Sequence, residues 1–360
     1  MNQQFWQNKK VLITGHTGFK GSWLSLWLQQ LGAKVIGFSL PPPTHPSLFE
    51  TANIAQEMIS IIGDIRNLDT VKHLFNEHQP EIVIHMAAQP LVRYSYQEPI
   101  ETYQTNVMGT LNILEGIRSI TQVRAAVMIT TDKCYENKEW IWAYRENEPM
   151  GGYDPYSSSK ACAELLISSY RNSYYPADKF NQHQTAIASA RVGNVIGGGD
   201  WAKDRLIPDI IHAFQQSHAI HVRNPNAIRP WQHVLEPLAG YLKLTEHLYN
   251  KGPEYAEAWN FGPQEEDTKS VQWIVEQMKT LWGNSANWTF DQGDHPHEAN
   301  HLKLDCSKAH ARLSWWPKWH LHHALEKIID WHKAELSGAN LKKICLSQID
   351  EYTDSPNLTS

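Results

Sequence analysis

The stretch Val11–Gly21 reads Val-Leu-Ile-Thr-Gly-His-Thr-Gly-Phe-Lys-Gly and decides the fold class. Its apolar start predicts a buried strand, and the amphipathic segment 21–31 that follows predicts a helix. A glycine-rich turn between a strand and a helix brings backbone N–H groups and the positive helix N-terminus to a phosphate, so the stretch predicts a dinucleotide-binding site. The residues expected at the pyrophosphate are Gly15, Thr17, Gly18, Phe19 and Gly21.

A second motif, Tyr-Ser-Ser-Ser-Lys, lies at residues 156–160. Two residues four apart on a helix lie on the same face, so Tyr156 and Lys160 are expected to be neighbours. An ammonium beside a phenol favours the phenolate, which can act as a base toward an alcohol that gives up hydride. Together with the glycine turn, the pair predicts an enzyme that oxidises a carbinol with a bound nicotinamide.

Apolar strand-like runs alternate with helical patterns through the first half of the chain. This alternation predicts an α/β fold, a doubly wound parallel Rossmann sheet with its ligand at the carboxyl ends of the strands. The predicted strands are 11–14, 34–38, 58–62, 82–86, 125–130 and 186–192, and the predicted helices include 21–31, 68–77 and 105–119.

The pattern changes after residue 197, where Gly-Gly-Gly-Asp-Trp opens a stretch with several prolines and short mixed patterns. Because the cofactor motifs lie before this point, we expect the later part to form a smaller mixed α/β substrate-binding domain. The expected division is 1–197 for the NAD-binding Rossmann domain with a returning segment near 231–260, 198–230 and 261–335 for the substrate-binding domain, and 336–360 for a C-terminal extension.

Bulk composition narrows the class of protein. The 360 residues carry a formal net charge of -6, which gives no basic footprint for nucleic acid. The four cysteines form no C-x-x-C pair, as is usual in a reducing compartment. Neither an apolar leader nor an uncharged run of membrane length is present, so we expect a cytoplasmic protein with no membrane partner.

The rest of the cofactor site is expected after the next strands. About 18 residues after Gly21, where an acid often binds the adenosine ribose, the chain has Ser39. Since neither a carboxylate nor an arginine stands there, the choice between NAD and NADP stays open at this point. Asp64 follows the third strand and is expected either to meet the adenine or to close a turn. Ala87 and Ala88 follow the fourth strand, where small residues let a cofactor approach the backbone.

These features resemble the extended short-chain dehydrogenase/reductase family over most of the chain. Within it, Thr131-Asp132-Lys133 is similar to the Thr-Asp-Glu motif of the nucleotide-sugar 4,6-dehydratases. The lysine variant, together with the segments 89–93, 198–201, 229–234 and 297–299, resembles the dehydratases that act on CDP-glucose. The resemblance implies NAD as the cofactor, a homodimer or homotetramer, and a role in deoxysugar biosynthesis. Further cofactor-site residues that it implies are Ile65, Gln89 and Asn106.

The resemblance also implies a role for each catalytic side chain. Tyr156 takes the C4 hydroxyl proton while hydride leaves C4, with Lys160 stabilising the phenolate and Thr131 orienting it. The 4-keto group acidifies C5–H, which a neutral Lys133 removes. Asp132, protonated, gives its proton to the departing C6 hydroxyl, and hydride then returns to C6. The alternative for Lys133 is that it only polarises the 4-keto oxygen as a cation.

A sugar nucleotide carries a pyrophosphate, which arginine side chains bind bidentately. The expected substrate residues are Arg93, Asn194, Arg205, Arg223, Arg229 and His297. Histidines at 295, 297 and 301 flank Glu298, but Pro296 interrupts the run and hydride chemistry needs no metal. We therefore expect no metal site, and His297 is assigned to the nucleotide through the resemblance.

Other functions are compatible with the same motifs. A sugar-nucleotide 4-epimerase shares the tyrosine and lysine but needs no acid for a C6 hydroxyl, so Asp132 argues against it. A dehydratase for dTDP-, GDP- or UDP-glucose would carry the same chemistry. A non-catalytic NAD(P) sensor on this fold would not need Tyr156 and Lys160, and the chain has both.

Overall fold

The protein is built on a parallel β-sheet covered by helices on both faces. The computed structural model describes residues 2–283, 288–291 and 301–358. The strands are β1 Lys10–Thr14, β2 Lys34–Ser39, β3 Ile59–Ile62, β4 Ile82–His85, β5 Ala125–Ile129, β6 Ala186–Val192, β7 Val195–Ile196, β8 Ile220–Val222, β9 Ile228–Pro230, β10 Gln232–His233, β11 Ala258–Phe261, β12 Thr268–Ser270 and β13 Trp288–Phe290.

The helices follow the strands in alternation through the first half. They are α1 Gln3–Trp6, α2 Phe19–Gln30, α3 Leu48–Thr51, α4 Leu68–His78, α5 Val92–Gln97, α6 Pro99–Tyr103, α7 Gly109–Arg118, α8 Pro155–Ser173, α9 Phe180–His183, α10 Leu206–Gln216, α11 Leu235–Lys251, α12 Val271–Trp282, α13 Ser307–Leu313, α14 Leu321–Leu336 and α15 Leu341–Asp354. Short 3₁₀ turns lie at Ile54–Glu57, Asp132–Cys134, Ala177–Lys179, Gly252–Tyr255 and Glu265–Asp267.

Seven strands form the main sheet in the order β11-β6-β5-β4-β1-β2-β3, and all neighbours are parallel. Every residue of β5 and β6 is buried, as expected for strands covered on both faces. One face packs against α2 and α11, and the other against α4, α7 and α8. The predicted doubly wound α/β fold is confirmed, and each predicted strand is present with its ends within one residue.

The strand order reverses beside β1, and the site is built at this point. β1 pairs with β2 on one side and with β4 on the other, so the loops after β1 and β4 diverge at the carboxyl edge. Ligands of open α/β sheets bind in the crevice that such a reversal opens. At the strand ends, the Thr14 Oγ1 and His85 Nδ1 atoms lie 2.7 Å apart and hold the two loops together.

The helix predicted at 105–119 is part of a longer helical run with an irregular turn. α6 passes into a π-helical turn at Gln104–Met108 and then into α7. Asn106 therefore lies inside the run and is not a helix cap. Single π turns occur frequently at functional sites, because the extra residue redirects a side chain. Here the redirected side chain is Asn106, which contacts the loop after β4.

A third apolar core lies between α10, α12 and α14, outside the main sheet. Two-stranded ladders β8–β13 and β9–β12 flank it, and β7–β10 connects it to the sheet. The chain returns to the main sheet through α11 and β11, and α15 packs on α2 and α14. The domain boundaries given above stay a prediction. None of the described helices combines the length and the apolar character needed to cross a bilayer.

Candidate active site

A cavity of about 1610 Å³ opens at the carboxyl edge of the sheet. Most of the residues that were predicted to bind the cofactor, to act in catalysis or to bind the substrate line it: Gly15, Thr17, Gly18, Phe19, Gly21, Ser39, Asp64, Ile65, Ala87, Ala88, Arg93, Thr131, Asp132, Lys133, Tyr156, Asn194, Arg205, Arg223 and Arg229. Three predicted residues, Gln89, Asn106 and Lys160, are not among the lining residues. His297 lies outside the described residues.

The glycine turn has the shape that a dinucleotide requires. Gly15 has φ +79°, and a Cβ there would stand 2.8 Å from the Ala87 backbone nitrogen. A Cβ at Gly21 would stand 2.1 Å from the Gly15 carbonyl oxygen. Gly18 precedes α2 without a side-chain cap, so the N–H groups of the first turn keep their capacity for a ligand anion. These residues fit a dinucleotide pyrophosphate.

Polar side chains line the part of the cavity that was predicted to bind adenosine. Thr17 and Ser39 share a hydrogen bond of 2.9 Å, which places two hydroxyl groups after β1 and β2. The Asp64 carboxylate accepts bonds from Arg66 at 2.6 and 2.8 Å, so part of its hydrogen-bonding capacity is already used in its own loop. Burial opposes ionisation of Asp64, but Arg66 lowers its pKa.

Tyr156 lies in the first turn of α8. Asp154 caps this helix by accepting from the Ser157 N–H at 2.9 Å, and Pro155 occupies the first helical position. Burial raises the pKa of the Tyr156 phenol, whereas its hydrogen bond with Thr131 and the charge of Arg205 lower it. The charges of Asp132 and Asp154 act with burial, and the net result is a raised pKa of the phenol.

Lys160 lies one turn further along α8 and is buried. Its Nζ donates to the Ile129 carbonyl oxygen at 3.2 Å, which ties the helix to the end of β5. Burial lowers the pKa of Lys160 to about 8, and the charge of Glu164 opposes this. The ammonium that was expected to pair directly with the phenol is thus held by a backbone carbonyl.

Thr131 and Asp132 follow β5 and are both buried. The Thr131 hydroxyl donates to Asp132 Oδ1 at 3.0 Å, while Asp132 Oδ2 has no hydrogen-bond partner among the described residues. Burial raises the pKa of Asp132, although Lys133, Thr131 and Arg229 act against it. A buried carboxyl with a raised pKa and a free oxygen is suited to hold a proton and give it up to a ligand.

Asn106 links the loop after β4 to the tyrosine helix. Its Oδ1 accepts from the Gln89 N–H at 2.8 Å, and its Nδ2 donates to the Gln89 carbonyl at 3.0 Å and to Ser159 Oγ at 2.9 Å. Asn106 thus holds backbone on one side and α8 on the other. It organises the site from behind the cavity wall.

The four predicted arginines all reach the cavity, and three of them face acids. Arg93 Nη1 lies 3.1 Å and Arg223 Nη1 lies 3.7 Å from Asp204 Oδ1. Arg205 Nη1 lies 2.8 Å from Asp200 Oδ2. Arg229 is buried and acts electrostatically on Asp132. Arg205 and Arg229 therefore lie close to Tyr156 and Asp132, two of the predicted catalytic residues.

Several residues near the centre were not selected from the sequence. Lys20, in the glycine turn, reaches toward the Tyr241 ring, with Nζ 6.0 Å from the ring centroid. Burial and the charges of Lys160 and Arg205 lower the pKa of Lys20 to about 7. Glu164 lies one turn beyond Lys160. Its helical spacing from Lys160 was the available sequence signal, and nothing in the sequence indicated the direction of the Lys20 side chain.

Comparisons with known proteins agree with this geometry. The family model described as GDP-mannose 4,6 dehydratase matches residues 12–328. The chain belongs to this family. A CDP-glucose 4,6-dehydratase of Salmonella typhimurium is 55% identical over 352 residues, 98% of each chain. The family resemblance drawn from the sequence is confirmed.

Solved structures with low sequence identity to this chain show the same fold. A dTDP-glucose 4,6-dehydratase of Bacillus anthracis in complex with NAD has a TM-score of 0.74 at 22% identity and covers 93% of this chain and 99% of its own. A UDP-glucose 4-epimerase of Thermotoga maritima with UDP-glucose has a TM-score of 0.78 at 22% identity and covers 91% of this chain and 99% of its own. The fold is therefore common to dehydratases and epimerases, so only the side chains of the site can distinguish the two activities.

Proposed function

We propose that this protein is a CDP-glucose 4,6-dehydratase that converts CDP-glucose to CDP-4-dehydro-6-deoxyglucose and water. The observation that carries the reaction type is the presence of Tyr156 in the same cavity as the hydrogen-bonded pair Thr131 and Asp132, at the carboxyl edge of the sheet. It combines a base for one hydroxyl with an acid for another, and an epimerase needs no such acid. The 55% identical relative supports CDP-glucose as the substrate.

We propose NAD as the resident cofactor. The glycine turn and the Thr17–Ser39 hydroxyl pair form the part of the cavity that would hold its pyrophosphate and adenosine. The solved dTDP-glucose 4,6-dehydratase with the same fold is in complex with NAD, which supports NAD as the cofactor. When bound, NAD accepts hydride from C4 and returns it to C6.

The chain's own residues supply the proton transfers. Tyr156, as the phenolate, takes the C4 hydroxyl proton, and Thr131 lowers the pKa of that phenol. Asp132 holds a proton in the buried site and delivers it from its free oxygen to the C6 hydroxyl as water departs. Lys133 lines the cavity on the same turn and takes the C5 proton before returning it. Loss of water balances the reaction with no net oxidation.

Arginines on the substrate side would bind the pyrophosphate. Arg93 and Arg223 lie together against Asp204 at the cavity wall, so a diphosphate could replace this carboxylate as their shared anion. Arg229 acts on Asp132, and Asn194 lines the cavity directly after Gly193, whose added Cβ would stand 3.0 Å from Asp132 Oδ2. The glucose ring must sit here for C6 to meet the acid. His297 stays a prediction for the nucleotide.

We propose that two copies associate through α5, α6 and α8. Five large hydrophobic side chains on these elements and on the π turn between α6 and α7 are exposed: Tyr94, Tyr96, Ile100, Met108 and Leu165. A homodimer, alone or within a tetramer, would cover them. Light scattering at micromolar concentration should give at least twice the chain mass, and a monomer mass would remove this proposal. A cytoplasmic location and the two-domain division given above are part of the same proposal.

The deciding experiment compares nucleotides under one assay. Purified protein is incubated with CDP-, dTDP-, GDP- and UDP-glucose, and the 4-keto product is read from its absorbance in alkali. CDP-glucose should react with a kcat/KM far above the others. Equal values would contradict the assignment of CDP-glucose as the substrate but would leave the assignment as a dehydratase in place. Formation of 4-epimers would show that the protein is an epimerase instead of a dehydratase.

A further inference from the structure

The nucleoside of the proposed substrate lies beyond the diphosphate, on the side away from the glucose ring. Arg93 and Arg223, which the proposed function assigns to the diphosphate, both face Asp204, with Nη1 atoms 3.1 and 3.7 Å from its Oδ1. The glucose ring is assigned to the region of Asp132. The cytidine therefore has to lie along the wall that continues from Arg223, which β8 and α10 form.

The helix α10 leads along this wall and away from the predicted catalytic residues. Arg205, directly before the helix, acts electrostatically on the Tyr156 phenol. Asp209 and His212 follow Arg205 at intervals of four and three residues, which places them on one helix face, and all three line the cavity. Since a helix rises about 1.5 Å per residue, the backbone of Asp209 stands about 6 Å further along the axis than that of Arg205.

Asp209 differs from the other acids that line the cavity. In the described part of the chain, each of those acids accepts a hydrogen bond or pairs with a cation: Asp64, Asp132, Glu136, Glu139, Asp154, Asp200 and Asp204. The Asp209 carboxylate has no such partner among the described residues, although the charges of Arg223 and Arg93 act on it. Desolvation by the cavity wall raises its pKa to about 6, as expected for a carboxylate that lacks a donor. Its oxygens are therefore available to a ligand.

We propose that the Asp209 carboxylate accepts a hydrogen bond from the exocyclic amino group of cytosine and so selects cytidine nucleotides; this rests on the proposed function. Cytosine carries an amino donor at C4, whereas uracil and thymine carry a carbonyl oxygen there. Aspartate and glutamate side chains recognise cytosine by accepting from this amino group. A carbonyl at the same position would set two acceptors against each other and leave the carboxylate without a partner.

Two neighbouring elements fix the spacing between the diphosphate and the base. Arg223 follows β8 directly, and β8 packs on α10 through Ile220 and Val222 in one apolar core. Asp209 lies in the first turn of α10. The arginine and the carboxylate are thus held by packed secondary structure, which keeps the two binding groups at the constant separation that recognition of one nucleotide requires.

The test compares CDP with UDP, whose bases differ only at C4 and N3. Isothermal titration calorimetry of the holoenzyme gives the Kd of each nucleotide without any dehydration. Wild type should bind CDP more tightly than UDP. Asp209→Asn presents an amide, which can donate to a C4 carbonyl as well as accept from an amino group. The ratio of the UDP Kd to the CDP Kd should therefore fall by about 10- to 100-fold.

Asp204→Asn is the matched control, because Asp204 faces the same two arginines. Removing either negative charge changes the attraction of the arginines for a diphosphate, which CDP and UDP share, so this effect leaves the Kd ratio unchanged. An unchanged ratio in Asp209→Asn would overturn the proposal, as would an equal fall in Asp204→Asn or a wild type without preference for CDP. If Asp209→Asn does not fold, Asp209→Leu decides, since it lacks the acceptor and should lose the preference for CDP.

Turnover of CDP-glucose separates a base contact from a catalytic role. Asp209→Asn should raise KM and keep kcat within about threefold, because the base is bound equally in the ground state and the transition state. A lower kcat at unchanged KM would place Asp209 in the chemistry and overturn the proposal. A wild type that prefers CDP over UDP but dehydrates no nucleotide sugar contradicts the proposed function and leaves the base contact in place.

Discussion

Glu164 and Arg191 form an ion pair near Lys160, the predicted catalytic lysine. Arg191 Nη2 lies 2.8 Å from Glu164 Oε2, and the two side chains are 5% and 4% exposed. Glu164 also accepts from Thr130 at 2.5 Å, directly before the catalytic turn, and from Ser189 at 2.8 Å. The pair thus joins α8, β6 and the end of β5, and its carboxylate favours the charged form of Lys160.

Glu164→Gln should destabilise the protein by about 3–5 kcal/mol, because it leaves the Arg191 charge buried and unpaired. Equilibrium unfolding in urea measures this cost. The control is the double variant Glu164→Gln with Arg191→Met, which removes both charges and should recover part of the loss. If the unfolding free energy of Glu164→Gln equals that of wild type, the ion pair does not stabilise the protein.

The same pair predicts loss of stability in acid. Burial opposes ionisation of Glu164, but Arg191, Thr130 and Ser189 lower its pKa below 4.5. A carboxyl group with a lowered folded-state pKa contributes stability above its unfolded pKa and loses it as the pH falls through the folded value. Wild type should therefore lose more stability between pH 5 and pH 3 than the double variant.

Tyr156→Phe should keep the fold and lose catalysis. The phenylalanine ring preserves the packing in the first turn of α8, and only the ionisable oxygen is removed. The loss of a general base typically reduces the rate by a factor of about 100 to 10,000. The assay is 4-keto product formation, and circular dichroism serves as the folding control. Activity within threefold of wild type would exclude Tyr156 as the base.

Lys133→Met should block proton exchange at C5 while hydride transfer from C4 continues. The reason is that Lys133 acts after the 4-keto group has formed, so the earlier step does not need it. Substrate added to the variant in deuterium oxide should reduce the bound NAD, seen by absorbance, with no deuterium at C5. Exchange at the wild-type rate would contradict the base assignment and leave Lys133 as a cation near the keto oxygen.

Glu236 should make the protein less stable as the pH rises through neutrality. Burial raises its pKa from 4.5 to about 7, although Tyr352 and the Trp319 and Lys318 N–H groups donate to it. Between these values the folded protein binds more protons than the unfolded chain, so stability falls with rising pH.

The expected loss from Glu236 between pH 5 and pH 8 is about 3 kcal/mol. Glu236→Gln imitates the protonated carboxyl group and should remove this part of the pH dependence. Urea unfolding of both proteins at the two pH values gives the comparison. Parallel pH dependences would contradict the raised pKa.

Gly15→Ala should reduce both stability and NAD binding. Gly338 provides a matched control, since its φ of +72° is similar but no described heavy atom lies within 4 Å of its added Cβ. Left-handed backbone costs an alanine about 1–2 kcal/mol, so Gly338→Ala should lose only this. Gly15→Ala adds the collision with Ala87, so it should lose more stability than Gly338→Ala. It should also bind less NAD per protein chain. Equal losses would contradict the close approach.

Much of the fold could be predicted because its signals are local. The glycine turn, the buried strands and the alternation with helices each occupy a short window of sequence. β11 was assigned only to a returning segment, since its four residues, Ala258–Phe261, carry little pattern of their own and gain their place by pairing with β6. The π turn at Asn106 was missed because helical periodicity does not reveal one inserted residue.

The sequence predicted which residues form the site better than it predicted their ion-pair and hydrogen-bond partners. Tyr156, Thr131 and Asp132 were identified from motifs, and the structure brings them together. The acids opposite the arginines, Asp200 and Asp204, could not be inferred, because pairing depends on loop paths that composition does not specify. The carbonyl that holds Lys160 was missed for the same reason.

The position of β11 at the edge of the sheet has a consequence for biosynthesis. Its partner β6 ends at Val192, and the ribosome must translate the whole intervening stretch before Ala258–Phe261 can dock. During that interval the nascent chain displays an unpaired apolar strand edge, which is a site for aggregation or for a chaperone. Slow translation or a stall before residue 258 would therefore lower the soluble yield more than a stall after it.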